Sequence, residues 1–123
     1  MQINESVENY LESILMISKR KGNVRSIDIV HELNFSKPSV SIAMHRLKDN
    51  GYVKIDDNGN LTLTKKGMAI ASATYERHEL LKAFLLYIGV SDATAEDDAC
   101  KMEHAISEET FECLKKVYKK IEK

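Results

Sequence analysis

The chain has 123 residues, of which 43% are hydrophobic and 30% are charged, a balance that is typical of globular proteins and argues against disorder. No apolar run approaches the roughly 18 residues of a membrane span, and the N-terminus lacks the basic start and apolar stretch of a signal peptide. We therefore expect a cytoplasmic protein with no membrane partner. In that compartment a disulfide between Cys100 and Cys113 is not expected.

The formal net charge is −1, but the charge is unevenly distributed. Residues 1–66 carry 10 Lys and Arg against 8 Asp and Glu, whereas residues 67–123 carry 8 against 11. This mild asymmetry permits nucleic-acid binding by the first half of the chain, but it does not predict such binding by itself.

The first half of the chain predicts three helices. Apolar residues recur at helical spacing over about residues 5–19, which indicates the first helix. The second helix is expected to begin with Ser26 as its N-cap. The third is expected to begin with Ser36 as its cap and Pro38 in its first turn, and to end at Asn50-Gly51.

A hairpin and three more helices are predicted after the third helix. Short alternating runs at residues 52–55 and 61–64 flank a turn-rich segment, which is typical of a β-hairpin. A long helix should begin within residues 64–67 and run to about residue 87, because Gly89 breaks the helical pattern. A fifth helix is expected over about residues 92–106, and a sixth from Ser107 onward.

This order of elements is that of a winged helix-turn-helix, whose second tandem helix enters the major groove of DNA. The sequence therefore predicts a mostly α fold, with a DNA-binding winged helix-turn-helix lobe over residues 1–66 and an all-helical lobe over residues 67–123. Hydroxyl and cationic side chains suit phosphate and base-edge contacts, although any one of them could simply lie on a solvated face. The candidate DNA-contacting residues are Ser36, Lys37, Pro38, Ser39, Ser41, His45, Arg46 and Lys48.

Donor side chains cluster at residues 100–104. On a helix, Cys100, Glu103 and His104 would lie within about a 100° arc. A thiolate, a carboxylate and an imidazole that converge in this way suit a divalent transition metal. Spacing alone leaves the alternative open that these residues pack in a core or lie in solvent.

Other function classes are less compatible with the sequence. The segment from His78 to Lys82 begins like a zinc-protease helix but has a lysine in place of the second histidine, and no nucleophile–base arrangement is evident, so we do not expect an enzyme. One alternative is a regulator that senses oxidation through Cys100 and Cys113. Another is a metal-buffering or purely structural helical protein. We interpret Cys113 as a packing residue.

Several segments, spread over essentially the whole chain, resemble the diphtheria-toxin-repressor and manganese-transport-regulator family of metal-dependent repressors. The segments that carry the resemblance are Val7–Glu12, Ser36–Ser41, Leu63–Gly67, Arg77–Leu81 and Cys100–Ser107.

The resemblance implies a homodimer that binds double-stranded operator DNA when a divalent metal is bound, and so a probable repressor of metal-uptake genes. It makes residues 67–123 the dimerisation and metal-sensing region, with metal held between the first helix and the helices of that region. Longer members of the family carry an SH3-like C-terminal domain, which we do not expect here because the chain ends at Lys123. The metal ligands carried over by the resemblance are Asn9, Glu12, His78, Cys100, Glu103 and His104.

The chain departs from the family pattern at four of its residues. It has Asn9 where manganese-type members have an aspartate, and Cys100 resembles the iron type rather than the manganese type. Lys82 and Glu96 stand where the iron type has the Glu and His of an ancillary site, which we expect to be lost. Because a thiolate favours softer metals and oxygen donors favour Mn(II), we expect Mn(II) or Fe(II) first, with Co(II), Ni(II) and Zn(II) as alternatives.

Overall fold

The computed structural model describes residues 1–122, which form six helices and one two-stranded antiparallel sheet. The chain divides into two compact units, Met1–Ser72 and Ala73–Lys123. None of the helices within residues 1–122 has the length and apolar character that a membrane crossing requires. The elements are α1 Glu5–Lys21, α2 Ser26–Leu33, α3 Lys37–Asp49, β1 Val53–Ile55, β2 Leu61–Leu63, α4 Lys65–Tyr87, α5 Asp92–Met102 and α6 Glu108–Glu122.

The helix α1 begins and ends at local capping signals. The side-chain oxygen of Asn4 accepts a hydrogen bond from the Val7 amide at 3.1 Å, which satisfies one of the unpaired donors of the first turn. At the other end Gly22 adopts a φ of +91° and donates its N–H to the Ser18 carbonyl. The helix therefore extends two residues beyond the expected residue 19.

The start of α2 corrects the expected cap. Ser26 is the first helical residue, and the cap position is taken by Arg25 in an extended conformation. The amide of Arg25 donates to the Asp28 carboxylate at 2.9 Å, and Arg25 also forms a β-bridge with Asn60 of the hairpin. The bridge holds Arg25 in the extended conformation that a cap residue needs, so a long-range contact places the boundary one residue earlier.

The third helix and the hairpin confirm the winged helix-turn-helix prediction. Ser36 caps α3, Pro38 lies in its first turn, and the helix ends at the cap residue Asn50. The hairpin pairs Val53 with Leu63 and Ile55 with Leu61. The order of helices and strands in the first unit is therefore the one expected from the sequence.

The core of the first unit collects one apolar face from each of its elements. Burial of these side chains supplies the main favourable free energy of folding, at about 25 cal/mol per Å² of apolar surface. The most deeply buried members are Leu11, Ile14, Ile17, Val24, Ile29, Val40, Met44, Leu47 and Val53.

The end of α5 differs from the prediction of a helix to residue 106. The helix ends at Met102, and the amide of Ala105 donates to the Met102 carbonyl in a tight turn at 3.0 Å. The Arg77 guanidinium of α4 donates to the carbonyls of Glu103 at 3.3 Å and Ile106 at 2.8 Å. These carbonyls are satisfied by a side chain, so the backbone needs no further helical turn there.

Gly67, in the first turn of α4, lies against the backbone of the hairpin. A Cβ atom at this position would come within 2.1 Å of the Tyr52 carbonyl oxygen. Alanine normally stabilises a helix by about 1 kcal/mol relative to glycine. Here we expect Gly67→Ala to lower the free energy of unfolding by about 1–3 kcal/mol, because the backbone must shift. Urea denaturation measures the change, and Ser72→Ala on the same helix is the control. Equal stability of the two variants would contradict the close approach.

Asp28 links the start of α2 to the pH dependence of stability. Hydrogen bonds from the Lys21 ammonium and the Arg25 amide lower the pKa of Asp28 from its ordinary 3.8. A carboxylate whose pKa is lower in the folded state stabilises the protein at pH values above its unfolded-state pKa. This stabilisation is lost as the pH falls through its folded-state pKa. We expect Asp28→Ala to cost about 1 kcal/mol at pH 7 and progressively less below pH 3.8. Denaturation against pH tests this, with the exposed hairpin residue Asp57→Ala as control. A loss that does not depend on pH would rule out the carboxylate as its source.

Candidate metal centre and DNA-contact surface

The helix α3 separates a buried face from an exposed one. Val40, Met44 and Leu47 are buried. All of the candidate DNA-contacting residues are exposed, which a docking face requires. They are Ser36, Lys37, Pro38, Ser39, Ser41, His45, Arg46 and Lys48.

The N-terminus of α3 is organised by side-chain hydrogen bonds. The Ser36 hydroxyl oxygen accepts a hydrogen bond from the Ser39 amide at 3.3 Å, and the two hydroxyl groups are 2.8 Å apart. The imidazole Nδ1 of His45 lies 2.8 Å from the Ser41 carbonyl oxygen. The exposed helix start offers amide groups and a positive dipole end, which suit a phosphate group.

Two exposed side chains near this face were not among the predicted contacts. Ile42 on α3 is 63% exposed, which is high for a large apolar residue, and an apolar side chain in a major groove suits a thymine methyl group. Lys54 is exposed on β1 of the hairpin. The exposure of Ile42 could have been predicted, because Ile42 is off the buried face of α3 that Val40, Met44 and Leu47 form. The exposure of Lys54 depends on which face of β1 is buried.

Four donor groups of the second unit converge near the end of α5. The Nδ1 atom of His78, on α4, lies 3.8 Å from the Cys100 sulfur and 3.6 Å from Oε1 of Glu103. The same Oε1 atom lies 3.6 Å from Nε2 of His104. The structure thus brings together four of the six predicted ligands.

The Glu103 carboxylate is the most constrained group of this cluster. Its side chain is 0% exposed, and neither oxygen has a hydrogen-bond partner within the part of the chain that the structure describes. A buried carboxylate without hydrogen bonds is costly unless a cation compensates its charge. Two imidazoles, a thiol and this carboxylate are a donor set that suits a divalent transition metal, so the residues fit such an ion.

The surroundings of His78 favour a positive charge at this position. The Cys100 sulfur and the Glu103 carboxylate raise the pKa of His78 to about 11, although burial acts in the opposite direction. The imidazole is therefore protonated at neutral pH when no metal is bound, and the ring places a proton on the side of Cys100 and Glu103. To bind a metal, the imidazole must lose that proton. In the metal-free protein, the protonated His78 therefore supplies the positive charge that a metal would otherwise supply.

Glu96, at a position where the sequence predicted only a lost ancillary site, lies beside the cluster in the structure. It lies four residues before Cys100 on α5, and His78, Glu96 and Cys100 form a group that could hold a metal ion. Burial raises the pKa of Glu96, but the neighbouring Lys82 and His78 outweigh it and lower the pKa overall. The spacing of four residues between Glu96 and Cys100 was a signal in the sequence for a shared face.

The predictions for the helical face of residues 100–104, for Cys113 and for the ligands on α1 have different outcomes. The prediction that Cys100, Glu103 and His104 share one helical face was wrong, because Cys100 lies on α5 whereas Glu103 and His104 lie beyond its end. Cys113 is exposed rather than packed, because it lies outside the buried face of α6. In the first unit, Glu12 is buried on α1 and Asn9 is half-buried, and their role as ligands stays a prediction.

Two family models match the chain over nearly its whole length. Residues 2–61 match the iron-dependent repressor N-terminal DNA-binding domain, and residues 64–123 match the iron-dependent repressor metal-binding and dimerisation domain. The two matches correspond to the winged helix-turn-helix and to the part that contains the donor cluster.

Curated relatives are similar over most of their length. An uncharacterised HTH-type transcriptional regulator of Methanocaldococcus jannaschii is 34% identical over 115 residues, which cover 92% of each chain. The transcriptional regulator MntR of Escherichia coli is 33% identical over 111 residues, or 90% of this chain and 72% of MntR.

Solved structures agree with these relatives. The manganese regulator SloR superposes with a TM-score of 0.79 at 29% identity, over 97% of this chain and 55% of SloR. A manganese-dependent transcriptional repressor in complex with manganese gives a TM-score of 0.79 at 27% identity, over 88% of this chain and 50% of the repressor. The chain spans about half the length of these solved structures. By its sequence and its fold, the chain belongs to the iron-dependent repressor family of metal-dependent transcriptional regulators, whose members are not enzymes.

Proposed function

We propose that this protein is a cytoplasmic repressor of metal-uptake genes, which binds operator DNA as a homodimer when a divalent transition metal is bound. Residues 1–66 would bind DNA, and residues 67–123 would dimerise and sense the metal. The observation that carries the proposal is the buried Glu103 carboxylate, which lies between His78 and His104 and has no hydrogen bond within residues 1–122.

The proposed ligands within the second unit are His78, Cys100, Glu103 and His104. When bound, the divalent ion would supply positive charge that neutralises the carboxylate and the thiolate. We add Glu12 and Asn9 of α1 on the strength of the family resemblance, and the burial of the Glu12 side chain is what a ligand requires. Of these residues, Asn9 offers only an amide oxygen, a weaker donor than a carboxylate.

The mixed donor set bears on the identity of the metal. A thiolate favours Fe(II), Co(II), Ni(II) or Zn(II), whereas the carboxylate oxygens also suit Mn(II). The regulator SloR is named for manganese, and the family models are named for iron. We propose Mn(II) or Fe(II) as the physiological ion.

Metal binding would act on DNA affinity through linkage. A metal that binds the DNA-competent arrangement more tightly than the alternative shifts the population toward it. A shift from 1:99 to 99:1 requires about 5.5 kcal/mol of differential affinity. Coordination of a structural metal can contribute roughly 10 kcal/mol or more, so the available free energy is sufficient.

We expect His104→Ala to abolish metal-dependent operator binding, because it removes an imidazole donor, and Glu103→Gln to weaken it strongly, because it replaces the carboxylate with a weaker, uncharged amide donor. Both variants should keep the fold. The measurement is fluorescence anisotropy with DNA from upstream of the protein's own gene, titrated with Mn(II), Fe(II), Co(II) and Zn(II). Circular dichroism reports the fold.

His31→Ala is the matched control, since His31 is an exposed histidine at the end of α2. It should retain the metal response. Metal-dependent affinity that persists in both site variants would reject the assignment of the ligands.

We expect Lys37→Ala and Arg46→Ala each to weaken DNA binding and to make the slope of log affinity against log salt less steep, by about 0.9 for each of the two copies of the cation in the dimer, because each cation that neutralises a phosphate releases about one counterion. The exposed Lys116 of α6 provides the control Lys116→Ala. Salt slopes that equal the control in both variants would exclude α3 as the docking helix.

A further inference from the structure

The two ring nitrogens of His78 face different neighbours. Nδ1 is directed at the proposed ligands, 3.8 Å from the Cys100 sulfur and 3.6 Å from Oε1 of Glu103. Nε2 lies 3.0 Å from Oε2 of Glu96, within hydrogen-bond distance. The His78 side chain is 3% exposed, so solvent does not compete effectively for either nitrogen.

Glu96 is itself held by a cation. The Nζ atom of Lys82 lies 3.2 Å from Oε2 of Glu96, which is the same oxygen that faces His78. Lys82 lies one turn after His78 on α4, and its Nζ atom is also 3.8 Å from the Asp92 carboxylate. Asp92, Lys82, Glu96 and His78 thus form a row of alternating charge that leads from the surface to the buried imidazole.

A hydrogen bond at one ring nitrogen determines which nitrogen can bind a metal. A neutral imidazole has one N–H group and one lone pair. If Nε2 donates its hydrogen to Glu96, the lone pair resides on Nδ1, which faces Cys100 and Glu103. Metal-binding histidines commonly donate their other nitrogen to a carboxylate in this way, which fixes the tautomer and the ring orientation.

We propose that Glu96, held in place by Lys82, is a positioning residue that presents Nδ1 of His78 to the metal. This inference rests on the proposed function of the site as a divalent-cation site. The alternative is that Glu96 is a ligand, since it belongs to a group of possible donors with His78 and Cys100. The contacts of Oε2 argue against that role, because this oxygen already faces both the His78 ring and the Lys82 ammonium.

Direct Co(II) titration of the full-length protein tests the role of Glu96. We expect Glu96→Ala to bind Co(II) about 10–100-fold more weakly than the wild type. Glu96→Gln should recover most of this loss, because its amide oxygen still accepts the imidazole hydrogen. The number of ions per protomer and the thiolate-to-cobalt absorption band should stay unchanged, since the ligands are the same.

The matched control is Asp97→Ala, which removes an exposed carboxylate from the next position of α5. If the Glu96→Ala variant bound Co(II) as tightly as the Asp97→Ala control, the positioning role of Glu96 would be overturned. A direct ligand would instead lose as much affinity in Glu96→Gln as in Glu96→Ala and would change the ligand-field spectrum, which would also overturn it. A wild-type protein that binds no Co(II) would refute the proposed metal site itself, and the inference with it.

A double-mutant cycle tests the part assigned to Lys82. Lys82→Met removes the ammonium and keeps most of the apolar stem. If Lys82 acts through Glu96, the change in Co(II) affinity that Lys82→Met causes should disappear in the Glu96→Ala background. An equal change in both backgrounds would show that Lys82 acts by its charge alone.

Discussion

The Glu103 carboxylate sets the constraint on which the sensing unit depends. It is fully buried and accepts no hydrogen bond from the residues that the structure describes, so its charge must be balanced by a neighbour. In the metal-free state that neighbour is the His78 imidazole, whose pKa is raised to about 11 by Cys100 and Glu103. If the proposed metal site is correct, metal binding would replace the proton of His78 with a divalent cation, so that the Glu103 carboxylate would face a positive charge in both states.

The two units use different physical means for their tasks. In the first unit, a core of aliphatic side chains positions α3, and the functional side chains are exposed. In the second unit three of the four proposed ligands, His78, Glu103 and His104, have buried side chains. Arg77 stabilises the turn that carries Glu103 through its hydrogen bonds to the carbonyls of Glu103 and Ile106. A surface that meets a large charged partner needs exposure, whereas a selective cation site needs a low dielectric and few water molecules.

The features predicted correctly from the sequence are those that local chemistry determines. Ser36, Pro38 and Asn50 mark the ends of α3 because caps act within a few residues of the chain. The predicted end of α5 was wrong because the true end depends on Arg77, which is 26 residues from Glu103 along the chain. The contacts of Glu96 were not predicted for a similar reason, since its partners His78 and Lys82 lie on another helix. The family resemblance supplied His78 as a ligand, which spacing alone left undecided.

The exposure of Cys100 has a kinetic consequence. The residue is exposed, whereas Glu103 and the His78 imidazole are buried. An ion bound at the proposed site would therefore be open to small chelators and water on the Cys100 side without unfolding of the helices, and its residence time would be set by the coordination bonds. A regulator with such a site would exchange its ion with the metal pool of the cell within the lifetime of the protein.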